Sequence, residues 1–206
     1  MSAPTADDRA RVLAAVRAAT ARRRGRVAAP VWAPAASATG AFAARGAEAL
    51  DDALRAAGTE VLADALALVA LLEREGVRRG YADPALPADL LALLAARFEL
   101  ATACPREDVA AFEFGVTRAA AAIVETGSLV LTDAVTPARL AAVAPWVHVA
   151  VLRRADVYVQ LSDALDALAD DPNVVLVTGP SRTADVEGIL VRGVHGPGVQ
   201  ACLQVP

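Results

Sequence analysis

Val174-Val-Leu-Val-Thr178 runs directly into Gly179-Pro-Ser-Arg-Thr183-Ala-Asp-Val-Glu187, and this stretch decides how the remaining sequence is read. An unbroken run of Val and Leu has no polar face, which is the pattern of a strand covered on both sides. Gly179 ends the run, and the hydroxyls of Ser181 and Thr183 open a predicted helical turn. A buried strand that feeds a helix belongs to a parallel sheet with helices on its faces. Working outward, helical periodicity predicts helices over 47–57, 65–75, 87–98, 107–112, 117–126, 137–143 and 162–170. Short β-branched runs at 60–62, 128–132 and 146–152 lie between them. The predicted class is therefore α/β, a mostly parallel sheet covered by helices. The carboxyl-terminal stretch reads differently: 189–194 and 199–205 flank His195-Gly-Pro-Gly198 with no room for a helix, as two strands joined by a turn do.

Composition removes several chemistries. The 206 residues carry a net charge of −4, and all 20 basic residues are arginine. A chain without lysine has no Schiff-base lysine, no lysine general base and no Walker-type P-loop. Roughly a quarter of the residues are alanine; alanine and arginine have GC-rich codons, and genome bias accounts for both excesses. The two cysteines, Cys104 and Cys202, are too few for an iron–sulfur cluster within this chain, and no metal site or cofactor fingerprint is visible. A mean hydropathy of +0.42 invites comparison with membrane proteins. The longest uncharged stretch, 27–44, is broken by Pro30, Pro34 and Gly40, and the apolar run 65–72 is too short to span. No secretory signal is legible, so a cytoplasmic protein without a membrane segment is expected.

Charge is unevenly distributed. The first thirty residues hold seven Arg and two Asp, a net +5 that leaves −9 for the rest. Thr5 and Asp8 resemble a helix start, and the arginines at 22–26 suit a helix end. Residues 1–44 are thus expected to form a helical arm and an extended linker, with an α/β domain over 45–206. The basic run reads first as a solvated helix end, with a docking arm as the alternative. It does not make a nucleic-acid binder, because the body is acidic and only 4% of residues are aromatic.

Three places carry the candidate chemistry. At the first, a helix N-terminus after Gly179, with Arg182 beside it, would receive a carboxylate or phosphate. Asp185 and Glu187 oppose that reading, since they would satisfy the same dipole. At the second, Glu125 falls in the last turn of the predicted 117–126 helix, against the dipole at ~0.3–1 kcal/mol. Thr126, Gly127 and Ser128 surround it at a helix-to-strand corner. The third is the histidine pair: His148, on the face of a strand with Trp146 and Ala150, and His195, in a glycine-flanked turn and suited to proton transfer.

Together these stretches resemble the lactate-utilisation protein C family, proteins that carry the LUD domain. The residues that carry the resemblance are Gly115-Val-Thr117 with Ala119, Ala122-Ile123 and Glu125-Thr-Gly-Ser128-Leu, then His148. They continue with Thr178-Gly-Pro-Ser-Arg-Thr-Ala-Asp-Val-Glu187 and Gly193-Val-His-Gly-Pro197. Arg118 departs from the pattern, standing where a small or acidic residue is expected, and Val124 stands where alanine is usual. The resemblance implies a fold similar to the sugar-phosphate isomerase and CoA-transferase group. It also implies a part in oxidising L-lactate to pyruvate beside two partner proteins, at least one carrying iron–sulfur clusters. Without cluster motifs, this chain would be an accessory subunit with no cofactor of its own. The competing expectation is an enzyme or sensor for a phosphorylated or acyl, CoA-like anion at the strand ends. There Glu125 and His195 would be catalytic, and Thr126, Gly127, Ser128, His148, Thr178, Gly179, Ser181, Arg182 and Thr183 would bind the ligand.

Overall fold

The computed structural model describes residues 6–21, 45–168, 170–184 and 190–206. By its contacts the chain divides into two units, Met1–Ser37 and Ala38–Pro206. In the first, α1 (Ala6–Ala21) is a helix of 16 residues, with Val12, Leu13 and Val16 exposed. Thr5, the basic run at 22–26 and the predicted linker lie outside the described residues.

The second unit is built on a parallel sheet. Strands β1 (Glu60–Leu62), β2 (Arg79–Ala82), β3 (Glu99–Ala101), β4 (Phe114–Arg118), β7 (Val147–Arg153) and β12 (Val199–Val205) lie in the order β1-β12-β7-β4-β2-β3. Every pairing in it is parallel. Period-two alternation divides β7 between two cores. Val147, Val149 and Val151 face α3 (Ala65–Arg74) and α4 (Ala88–Ala95) in one cluster, with Leu68, Leu72 and Leu94. Ala150 and Leu152 face α2 (Leu50–Ala57), whose Leu50 and Leu54 fill the other. Each such leucine removed from water contributes about 1.5–3 kcal/mol before the entropy of ordering it. Local signals place the helices: Gly58 closes α2 in the left-handed region at φ 92, and the Asp64 carboxylate accepts the Ala67 N–H at 2.8 Å to start α3.

A second sheet lies over the α2 face, with β5 (Ala121–Ile123), β6 (Ser128–Thr132), β8 (Val157–Tyr158) and β9 (Val174–Val177) in the order β8-β5-β6-β9. A third pairs β10 (Arg182–Ala184) with β11 (Leu190–Arg192) in antiparallel register. Two short helices complete the described elements, α5 (Leu140–Val143) and α6 (Leu161–Ala167).

The α/β class and the mostly parallel sheet agree with expectation; several local readings do not. The predicted 117–126 helix is the end of β4 followed by β5. Alanine is the strongest helix former, but propensity is a small term and tertiary context overrides it here. Ala121 and Ile123 face a cluster with Ala164, whereas Ala122 and Val124 face the α2 core. Period-two burial of this kind requires a strand, and the small side chains let two layers approach. The Val174 run is an edge strand rather than one covered on both faces: β9 pairs with β6 alone, and Leu176 is 41% exposed. After Gly179 the chain enters β10, not a helical turn; Asp185 and Glu187 lie outside the described residues. The two last strands do not pair with one another. β11 returns against β10, while β12 enters the main sheet between β1 and β7. Residues 107–112 hold only a single 3-10 turn, Val109–Ala111. Strands β2, β3 and β8 were not foreseen, being too short to show a period.

Candidate functional site

α2 ends two residues before β1 begins, so its carboxyl-terminal carbonyls sit at the amino end of the parallel strands. The sequence motifs gather there. The Ser128 hydroxyl lies 2.7 Å from that of Thr126 and 2.7 Å from that of Thr178, a continuous hydroxyl chain between the second-sheet corner and the end of β9. Gly127 and Gly179 adopt φ 63 and 76, and a Cβ at either would strike the Ala53 or Ala57 carbonyl. Both are glycine because backbone meets backbone at these points. Arg182 Nη2 donates to the Ala57 carbonyl at 3.4 Å. The Ser181 N–H donates to Pro197 O at 2.8 Å, and the Gly193 N–H to Ser181 O at 3.0 Å, tying the 178–182 segment to the His195 turn. Thr183 lies in β10 opposite Val191, and His195 is exposed.

Glu125 belongs to the β5–β6 turn, and its electrostatic reading reverses. Its Oε2 accepts the N–H of Leu161, the first residue of α6, at 3.0 Å. Gln160 supplies no side-chain cap to that helix, so Glu125 provides one. A carboxylate at an N-terminus is favourable, where the predicted position was unfavourable.

His148 is fully buried. Its ring lies 2.9 Å from the Thr117 hydroxyl through Nε2 and 2.8 Å from Gln200 Oε1 through Nδ1. The amide oxygen only accepts, so Nδ1 carries the hydrogen and Nε2 receives the threonine O–H. Burial pushes its pKa down to about 4 against the opposing hydrogen bond from Gln200, leaving the imidazole neutral. It ties the amino ends of β7 and β12 to Thr117, near the carboxyl end of β4. Thr117 and Gln200 were not foreseen as its partners, because pairing across a sheet is not visible along the chain.

At the opposite end lies a cavity of about 570 Å³, between the carboxyl ends of β4, β7 and β12 and the loop before α4. Arg118, Arg153 and Asp156 line it, and of the residues that carry the resemblance Ala119 alone does. Asp83, only 3% exposed through its side chain, accepts Arg118 Nε at 2.9 Å and the Ala85 N–H at 2.8 Å. Arg153 is held in a fork by Asp156, at 2.7 and 3.0 Å. Of these residues, sequence reading singled out only Arg118, as a departure from a pattern.

Among the described residues, no three His, Cys, Asp or Glu side chains gather to hold a metal ion, and no helix is long and apolar enough to cross a membrane. The Cys202 thiol is pushed up to about 12, by burial first and by Asp51 nearby.

This α/β fold and its clustered motifs have relatives. Residues 38–202 match the LUD domain model, and the chain belongs to the LUD domain family. A lactate utilization protein C from Macrococcus caseolyticus is 30% identical over 91 residues, 40% of this chain and 39% of that protein. One of the same name from Bacillus subtilis is 29% identical over 91 residues, 40% and 38% of the two chains. An uncharacterized protein from Neisseria meningitidis is 32% identical over 88 residues, again 40% of this chain and 38% of the relative. These matches thus span about two fifths of each relative. Among solved structures, the crystal structure of a DUF162 family protein from Deinococcus radiodurans is similar in fold. Its TM-score is 0.55 at 20% identity, over 80% of this chain and 98% of that one.

Proposed function

We propose that the chain serves lactate utilisation as an accessory subunit of an iron–sulfur-dependent system that oxidises L-lactate to pyruvate, with the clusters on partner subunits in the cytoplasm. The observation that supports this reading is the surface formed where the motifs meet. The Trp146 ring lies over Gly193 and Gly198, where a Cβ would strike it. It remains 46% exposed with its indole N–H donating to Glu75 Oε2 at 3.3 Å, and Val143 and Val194, near Trp146 and Gly193 in sequence, are 40% and 52% exposed. An exposed indole among aliphatic residues is the composition of a protein-contact surface. The relatives named for lactate utilisation supply the process. The two electrons and two protons released as lactate becomes pyruvate would pass to the partner.

The competing reading, an acyl or phosphorylated ligand at the motif corner with Glu125 and His195 as catalytic groups, finds less support. The hydroxyls there bond one another, Gly127 and Gly179 are packed on α2, and Arg182 is turned onto a carbonyl. Anaerobic reconstitution of lactate-dependent dye reduction, with and without this chain, tests the proposal. A rate that rises with the chain, together with co-purification that Trp146→Glu abolishes, is expected. Equal rates and no co-purification would overturn it.

A further inference from the structure

We propose that the cavity at the carboxyl ends of β4, β7 and β12 binds a monocarboxylate whose apolar body is larger than lactate, with the carboxylate on the free edge of Arg118. This inference does not rest on the lactate reading; it concerns the other end of the sheet.

Carboxyl ends of parallel strands are where open α/β sheets hold their ligands, because the loops there diverge. At this end Asp83 has the geometry of a support. Almost wholly buried, it takes Arg118 Nε and the Ala85 N–H, which fixes the guanidinium plane. No other described side chain or carbonyl accepts from the two Nη groups of Arg118. Two parallel N–H donors on a fixed plane match a carboxylate in a forked pair.

Charge selects against phosphate. Arg153 faces the same cavity, but its fork is already filled by Asp156. The lining therefore presents one unmatched guanidinium edge beside a matched Arg153–Asp156 pair, an environment that suits a single negative charge better than a double one. Size leaves room for more than lactate. At about 30 Å³ per water-sized atom, its six heavy atoms fill at most roughly 180 Å³, while the cavity measures about 570 Å³. The remaining wall is apolar, with Leu86, Val135, Val151 and Val205, and would cover a hydrocarbon chain or ring.

Isothermal titration of the full chain with octanoate, octanamide, lactate and inorganic phosphate tests the assignment. Octanoate is expected to bind roughly tenfold or more tightly than the neutral octanamide, the usual worth of a charge-assisted pair. Lactate should bind more weakly than octanoate, and phosphate should fail to displace it. Arg118→Gln should erase the preference for octanoate over octanamide. Where that variant does not fold because Asp83 is left buried and unmatched, Asp83→Asn with Arg118→Gln replaces it. Val135→Trp, which fills the cavity from the loop side, should weaken both probes alike. No binding of octanoate, a preference that survives the loss of Arg118, binding untouched by Val135→Trp, or displacement by phosphate would each overturn the proposal.

Discussion

The buried imidazole of His148 makes the stability of this protein depend on pH in a defined window. Folding removes the ring from water and lowers its pKa to about 4, from about 6.5 in the unfolded chain. Below pH 6.5 the unfolded chain gains a proton that the folded one refuses. Stability is therefore fully present above that pH, falls as the pH drops, and stops falling near 4. Integrated between pH 7.5 and 4.5, the loss is about 2.5 kcal/mol, against a total of about 5–15 for a domain. Carboxylates also titrate at the lower end, so the measurement must be differential. His148→Gln keeps a donor and an acceptor between Thr117 and Gln200 but has no proton to gain. Urea unfolding of both proteins at pH 7.5, 6.0 and 4.5 should show the wild type ahead at the highest pH. That lead should shrink by about 2.5 kcal/mol across the series. A gap that stays constant to within about 0.5 kcal/mol would refute the reasoning, since His148 would then titrate alike in both states.

Two further outcomes follow from the packing at α2 and α6. Gly179→Ala would force a Cβ against the Ala57 carbonyl at φ 76, and urea unfolding should show a loss of about 2 kcal/mol or more; a neutral result would mean that β9 and α2 do not meet there. Glu125→Ala should cost about 0.5–2 kcal/mol through loss of the cap, and amide exchange should quicken at Leu161 and the residues just after it; unchanged exchange would remove Glu125 from that role.

Local periodicity was informative wherever one element decided its own burial. The stretch Ala65-Leu-Ala-Leu-Val-Ala-Leu-Leu72 identifies α3 because its apolar run lies within one element. The run read at 146–152 identifies a strand for the same reason, and the structure places it at 147–153. The second sheet was illegible because its evidence is not local. Ala121 and Ala122 are strand residues only because two layers press on β5 from opposite sides, and alanine read alone favours a helix. The Val174 run failed in the converse way. A continuous apolar segment does not distinguish a central strand from an edge strand whose one outward residue, Leu176, happens also to be apolar. The site followed suit. Residues adjacent in sequence, such as Thr126 and Ser128, were recognisable as a corner, whereas Thr117, His148 and Gln200 come together from three strands.

The sign of the local field explains why the anion site expected after Gly179 finds less support than the cavity at the other end. The expected helix N-terminus would have brought unsatisfied N–H groups and roughly half a positive charge. Instead, the nearest helix end is the carboxyl terminus of α2, whose carbonyls carry partial charge of the opposite sign. The Arg182 guanidinium donates to one of those carbonyls, as a cation at a helix C-terminus should. An anion entering there would have to compete for Arg182 while facing the α2 carbonyls. At the other end of the strands, the carboxylate nearest Arg118 is buried behind it and engages Nε alone, which leaves the outer edge of the cation directed away from its own counter-charge. On the two proposals, opposite ends of one parallel sheet would take different partners: a protein on the packed, half-apolar surface at the amino end, and a small anion in the arginine-edged cavity at the carboxyl end.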